Sequence, residues 1–227
     1  MQRVISHNHP RYRKRLEEIS DDRYNGAYFY SREICKYMIP TIKTDRNWIT
    51  VNIPGVGMGH SVVFVHNNLH PEHYDHLARF KDLILVCGIE ETTHKIAHLG
   101  KTILLPLSID VEEVRQYARE KTKGVAFVGR SAKRNGIKLP RGIDYIEGLP
   151  RAQLLQAMAE YQAVYAVGRT AIEAKALGCE VLPYDPRYPD PGLWEVFDSR
   201  KAAEMLQEKI DAIDHQAKAH NSKTETW

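Results

Sequence analysis

The residues best placed to do chemistry stand in the stretch AVYAVGRTAIEAKALGCEVLPYD, residues 163–185. A β-rich run delivers the chain to Gly168, where the missing Cβ lets a ligand approach the backbone. The helix predicted next begins near Arg169 and Thr170. Its first backbone N–H groups and the positive end of its dipole therefore face the turn. A phosphate needs little else. Glu173, one turn into that helix, can accept hydrogen bonds from the paired hydroxyls of a ribose. The same residues also fit a plain strand-to-helix crossover in which Gly168 only makes the turn. An earlier glycine turn, VGRSAKRNG, follows the apolar run KGVAFV. It reads either as a second phosphate loop or as a solvated basic loop.

Positioning two such turns requires strands that end side by side, and the chain supplies them. NWITVNI and SVVFVH are β-rich runs separated by the glycine loop PGVGMGH. DLILVCG is a continuous apolar strand of the kind buried on both faces. PEHYDHLARF, with proline in its first turn, and IEETTHKIAHLG, expected to end on Gly100 as a C-cap, are helices on either side of it. KTILLPLSI is the next strand, and Asp110 is placed to cap the helix VEEVRQYAREK. A second series runs KGVAFVGR, IDYIEG, LPRAQLLQAMAEYQ, AVYAVG, TAIEAKALG and EVLPYD, with Gly178 closing the last helix. SRKAAEMLQEKIDAIDHQAKAH is one long amphipathic helix. The segments RYRKRLEEIS and SREICKYMIP read as short helices, the second stopped by Pro40. Strands alternating with helices give parallel sheets wrapped by helices. Because the alternation occurs twice, the expectation is α/β, with two small Rossmann-like lobes, a cleft between them and a C-terminal helix; a single doubly wound sheet is the alternative. The expected boundaries are 1–120, 121–195 and 196–227.

Composition narrows the class. With 43% hydrophobic and 27% charged residues in 227, the chain can bury a core, and wholesale disorder is excluded. A net charge of +3 is too small for a nucleic-acid coat and compatible with an anionic substrate in a local basic site. Cys35, Cys87 and Cys179 form no CxxC pair, so they read as reduced thiols of a cytoplasmic protein. No apolar run is long enough to span a bilayer, and no signal peptide is expected. Imidazoles cluster at His66, His70, His73 and His76, and again at His94 and His98. No acidic or cysteine partner stands beside them and no HExxH motif occurs, so no metal is expected.

VGRTAIEAKALGCEVLPYD resembles the nucleotide-sugar segment of GT-B glycosyltransferases, which place a glycine-containing turn before a helix of EAxAxG character and then a strand. GVAFVGRSAKRNG is similar to the first strand and phosphate loop of their C-terminal lobe. YIEGLPRAQLLQAMAEYQAVYAV is similar to the run in which a short helix follows the loop beside the base. The resemblance spans residues 124–185 and reaches the N-terminal lobe only in outline; nucleotide-sugar epimerases share its motifs. It implies that Glu173 binds the ribose and that Gly168, Arg169 and Thr170 form the turn meeting the diphosphate. Gly129 and Arg130, with Lys133 or Arg134, would neutralise that diphosphate, as a leaving nucleoside diphosphate requires when no metal is bound. Tyr165 stands eight residues before Glu173, where many retaining members carry a second glutamate.

In that family the acceptor and the catalytic base come from the N-terminal lobe. His60 ends the PGVGMGH loop, and His66, with Asn67 and Asn68, lies beyond the carboxyl end of VVFV. Either histidine can deprotonate a hydroxyl near neutral pH, and Asp45 and Arg46 are further candidates. All of these residues also suit turns and strand ends. The expected function is transfer of a sugar from a nucleoside-diphosphate sugar, a UDP-sugar first, to a hydroxyl acceptor. The acceptor would be a glycan, a small molecule or a modified DNA base, and no cofactor is expected beyond the donor. The alternatives are a non-catalytic nucleotide-binding or sequestering protein on the same fold, or a nucleotide-sugar epimerase or hydrolase.

Overall fold

A computed structural model describes residues 2–6, 26–50, 55, 57–65, 69–129 and 137–224. The chain divides into two compact units: Met1–His9 with Ser31–Pro106 and Arg200–Trp227, and Pro10–Tyr30 with Leu107–Ser199. The division falls after Pro106, not at residue 120. Its cause is local: Ile109 bridges Asp198, and the Ser108 carbonyl accepts from Arg169, so this stretch is bonded into the second unit. The C-terminal helix, expected to stand apart, belongs from Arg200 onward to the first unit.

The first unit is a five-stranded parallel sheet. Its strands are β1 (Val4–Ile5), β2 (Asn47–Ile49), β3 (Ser61–Val65), β4 (Leu83–Cys87) and β5 (Lys101–Leu104), lying in chain order. Helix α1 (Gly26–Glu33) precedes β2 and continues as a π-turn over Ile34–Met38, stopping just before Pro40. Connections α2 (Pro71–Leu77) and α3 (Glu90–Ile96) join β3 to β4 and β4 to β5. β3 and β4 are buried along their whole length, as their unbroken apolar runs require. Gly100 differs from its expected role as a left-handed cap. Its φ is not positive; instead a Cβ there would stand 2.6 Å from the Leu83 carbonyl oxygen. The position is glycine because β4 passes too close for a side chain.

The second unit opens with α4 (Val111–Arg115), which Asp110 caps by accepting the Glu113 N–H at 3.0 Å. Then come β6 (Lys123–Val128), β7 (Asp144–Ile146), α5 (Arg151–Met158), β8 (Tyr161–Tyr165), α6 (Arg169–Ala176) and β9 (Glu180–Leu182). The last helix, α7 (Ser199–Thr224), begins here. All four strands are parallel, in the order β7-β6-β8-β9. The chain steps from β6 outward to β7, then returns through α5 past β6 to β8. Winding therefore reverses between β6 and β8, whereas the first unit's strands never reverse. Gly178, at φ 81°, ends α6 as expected: its N–H reaches Lys175 O and that of Cys179 reaches Ala174 O, each at 2.9 Å. Lys121 Nζ donates to Ala159 O and Leu177 O at 2.8 Å each, holding the carboxyl ends of α5 and α6 together. The amino ends of both helices are thereby fixed at the opposite edge of the sheet.

Candidate functional site

In open parallel sheets a ligand site forms outside the carboxyl ends of the strands, where the winding reverses. Here that point is followed by two glycines, Gly129 after β6 and Gly168 after β8. Gly168 has φ 64° and ψ −142°, a conformation open to glycine and strained for any other residue. Among the described residues, no heavy atom beyond its chain neighbours lies within 4 Å of where its Cβ would be. Its carbonyl accepts the N–H groups of Ala171 and Ile172, which starts α6. No side chain caps α6 or α5, and neither helix has an acid in its first turn. α3 and α4 differ, carrying Glu90 and Glu91, and Glu112 and Glu113, in theirs. Neither α5 nor α6 thus offsets its positive dipole end with an acid of its own first turn, and each helix opens on an arginine.

Those arginines, Arg151 and Arg169, meet on one oxygen. Glu173 Oε1 accepts from Arg169 Nε at 3.0 Å and from Arg151 Nε at 3.3 Å. Arg151 Nη1 also pairs with Glu113, and Arg169 Nη1 donates to Ser108 O at 3.4 Å. The Arg151 guanidinium lies 5.0 Å from the centre of the Phe29 ring. Burial alone would lower the Arg151 pKa, but Glu173 and Glu113 outweigh it and raise it above the ordinary value. Through these bonds Glu173 ties together the first turns of α4, α5 and α6. Its own exposure is 0%, and both arginine side chains are 6% exposed. As folded, Glu173 is out of reach of solvent, and a ribose would meet it only after the side chains packed on it moved. The partner expected for the ribose is, as folded, the hub of the helix layer.

The other expected donor-site residues fall in two groups. Gly168, Thr170 and Gly129 are half-buried at the switch point, and the Gly129 N–H donates to Ile146 O at 3.2 Å. Arg130, Lys133 and Arg134 lie outside the described residues. Sequence reasoning passed over two residues of this edge. Arg151 had a signal, since a cation at the first position of a helix opposes the dipole. Tyr184, two residues beyond β9, packs edge-on to Phe127 at 5.2 Å. Burial pushes its phenol up to about 12, and its hydroxyl finds no partner among the described residues.

The expected acceptor-side residues lie elsewhere. Asp45, His60 and Asp82 stand just before β2, β3 and β4, on the amino edge of the five-stranded sheet. His60 Nδ1 meets Asp82 Oδ2 at 2.5 Å and Nε2 meets Asp45 Oδ1 at 3.0 Å. His60 and Asp82 both adopt positive φ, 49° and 56°. Arg46, buried, donates to Asp82 Oδ1 at 3.0 Å and to Asp214 of α7 through Nη2 at 2.8 Å and Nε at 3.2 Å. Asp82 is the main cause that raises the His60 pKa; burial opposes it, and Asp45 adds to the rise. His60 in turn holds the Asp45 carboxyl low. For Asp82, burial acts upward, but His60 and Arg46 prevail and lower it. Both ring nitrogens of His60 thus face carboxylates, on the amino edge of its sheet. As folded, His60 is paired with both Asp45 and Asp82.

His66, Asn67 and Asn68 lie outside the described residues, as does the segment RYRKRLEEIS. His73 Nδ1 accepts the His70 N–H at 2.9 Å, closing the start of α2, and His76 Nδ1 accepts the Gly55 N–H at 3.3 Å. These imidazoles shape turns. Among the described residues there is no group of three or more His, Cys, Asp or Glu able to hold a metal ion, and no helix long and apolar enough to cross a membrane. Comparison of the chain with protein-family models, with curated proteins and with solved structures yields no match.

Proposed function

We propose that the chain is a glycosyltransferase of GT-B type, whose second unit binds a nucleoside-diphosphate sugar, a UDP-sugar first. The observation that carries this reading is the reversal of winding between β6 and β8, with Gly168 opening an uncapped helix there. Two helix amino ends free of acids favour a diphosphate, and they favour it more as charge builds on the leaving group. In the reaction an acceptor hydroxyl oxygen bonds to the anomeric carbon. The bond from that carbon to the phosphate oxygen breaks, the nucleoside diphosphate departs, and the hydroxyl proton passes to a base. His66, the next residue in sequence after β3, is the candidate for that base.

A second reading, a protein that binds a nucleotide without chemistry, is favoured by the engagement of His60 and Asp45 in ion pairs on the amino edge. One experiment separates the two. The chain is incubated with UDP-, GDP- and TDP-sugars, and free nucleoside diphosphate is measured beside binding. Turnover is expected. Binding without turnover supports the second reading, and absence of both removes the nucleotide reading altogether.

A further inference from the structure

Arg151 carries a donor that the fold leaves unspent. Its Nε serves Glu173 and its Nη1 serves Glu113, while the Phe29 ring lies against the guanidinium. Nη2 is buried and finds no hydrogen-bond partner among the described residues. A charged N–H cut off from both water and protein is costly, about 1–3 kcal/mol or more. A side chain so firmly held keeps such an atom for a reason that the folded chain alone does not supply. The local charges point to what would meet it. Arg151 and Arg169 face Glu113 and Glu173, and neither α5 nor α6 carries an acid in its own first turn. The guanidinium starts from the first turn of α5 and ends between the first turns of α4 and α6, beside the switch point. An oxyanion there would satisfy the free donor and both dipoles at once.

We propose that Arg151 is a phosphoryl-binding residue of this edge, with Nη2 the donor to a phosphate oxygen. Glu113 and Phe29 orient the guanidinium for that bond. The contact from Nε to Glu173 is the longer of the two on that oxygen, and it is the one that yields when the phosphate is taken. Glu173 then keeps Arg169, and one side of its carboxylate opens toward the ligand. The inference rests on the nucleotide reading only for the nucleoside, because a diphosphate alone is enough to test it.

The test is calorimetric titration of the full chain and of R151K with pyrophosphate and with UDP. Lysine keeps the cation facing Glu113 and Glu173 but lacks the third planar donor. The expected result is a loss of about tenfold in affinity for both ligands, one charge-assisted hydrogen bond. Equal affinities in R151K and the unaltered chain overturn the proposal and leave the nucleotide reading standing. Pyrophosphate binding that R151K weakens, with no binding of any nucleotide, keeps the proposal and removes that reading. Failure of the unaltered chain to bind pyrophosphate overturns the proposal. Should R151K not fold, the unaltered chain crystallised with pyrophosphate decides. A phosphate oxygen within about 3.2 Å of Nη2 is expected, and its absence there overturns the proposal.

Discussion

Among the described residues, each unit holds an ionic cluster built round a buried charge, and the two are built inside out relative to each other. On the amino edge of the five-stranded sheet the buried centre is a cation, Arg46, and its acids reach toward water: Asp82 is 54% exposed and Asp214 30%. On the carboxyl edge of the four-stranded sheet the buried centre is an anion, Glu173, and its two arginines are buried with it. In the first cluster every guanidinium nitrogen of Arg46 is bonded. In the second, one nitrogen of Arg151 is not. The first is a closed clasp that ties strand starts to α7. The second concentrates charge where three helices begin, and it has a donor to spare. Residue types alone mislead here, because the histidine and aspartates that suit a catalytic base stand in the clasp. The edge of the sheet on which a residue stands is the better guide.

The sharpest way to break this contrast is to remove each centre. Glu173→Ala leaves two buried guanidiniums facing each other without their shared anion, and a loss of about 3–5 kcal/mol of stability is expected. Urea denaturation measures it, and a loss below about 1 kcal/mol would mean that Glu173 is not the hub. The same substitution is therefore a poor test of ribose binding. Arg46→Met should cost less, about 2 kcal/mol, because water can take over its half-exposed partners. Faster proteolytic cleavage within α7 should accompany that loss. If Arg46→Met proved the more damaging of the two, the assignment of buried and rehydratable partners would be reversed. Gly168→Ala comes next. Space is available for the methyl group, so only the backbone conformation is strained, at about 1–2 kcal/mol. Thermal melting should fall by that amount while UDP affinity drops with it; an unchanged melt would mean that the turn is not fixed at positive φ.

Much of this was legible in the chain. The unbroken apolar runs of β3 and β4, the cap at Asp110 and the glycine stop at Gly178 act through local chemistry, and each stands as its residues imply. The alternation of strands and helices likewise announced two parallel sheets. Three things were not legible, for one shared reason. The role of Gly100, the amino-edge clasp and the reversal at β6 and β8 all depend on which strands become neighbours. Strand order is a long-range property. His60 stands on the amino edge of its sheet only because β3 begins at the next residue, Ser61, and pairs in parallel with both β2 and β4. Glu173 looked like a ligand residue because the helix start beside it suits an anion. The carboxylate and the two arginines that neutralise each other there come from turns 22 and 4 residues away.

The smallest effect tests the clasp itself. As imidazolium, His60 donates through both nitrogens, to Asp82 and to Asp45. As neutral imidazole it has one N–H and must release one of them, and Asp45, 86% exposed, is the cheaper to lose. Because the folded-state pKa is raised above the unfolded value, the stabilisation is complete below about pH 6.5 and is lost as pH rises through the folded value. Asp45 and Asp82, both lowered, contribute above their unfolded pKa near 3.8, and that contribution is lost as pH falls. The two windows overlap between pH 5 and 6 in round terms. The stability gap between the unaltered chain and His60→Gln should be widest there, under about 1 kcal/mol for so exposed a group, and should narrow as pH rises through the folded value. Urea titrations of both proteins at low salt measure it. A gap that is flat, or wider at alkaline pH, would mean that His60 is neutral in the folded chain, and it would then return to the candidates for a base.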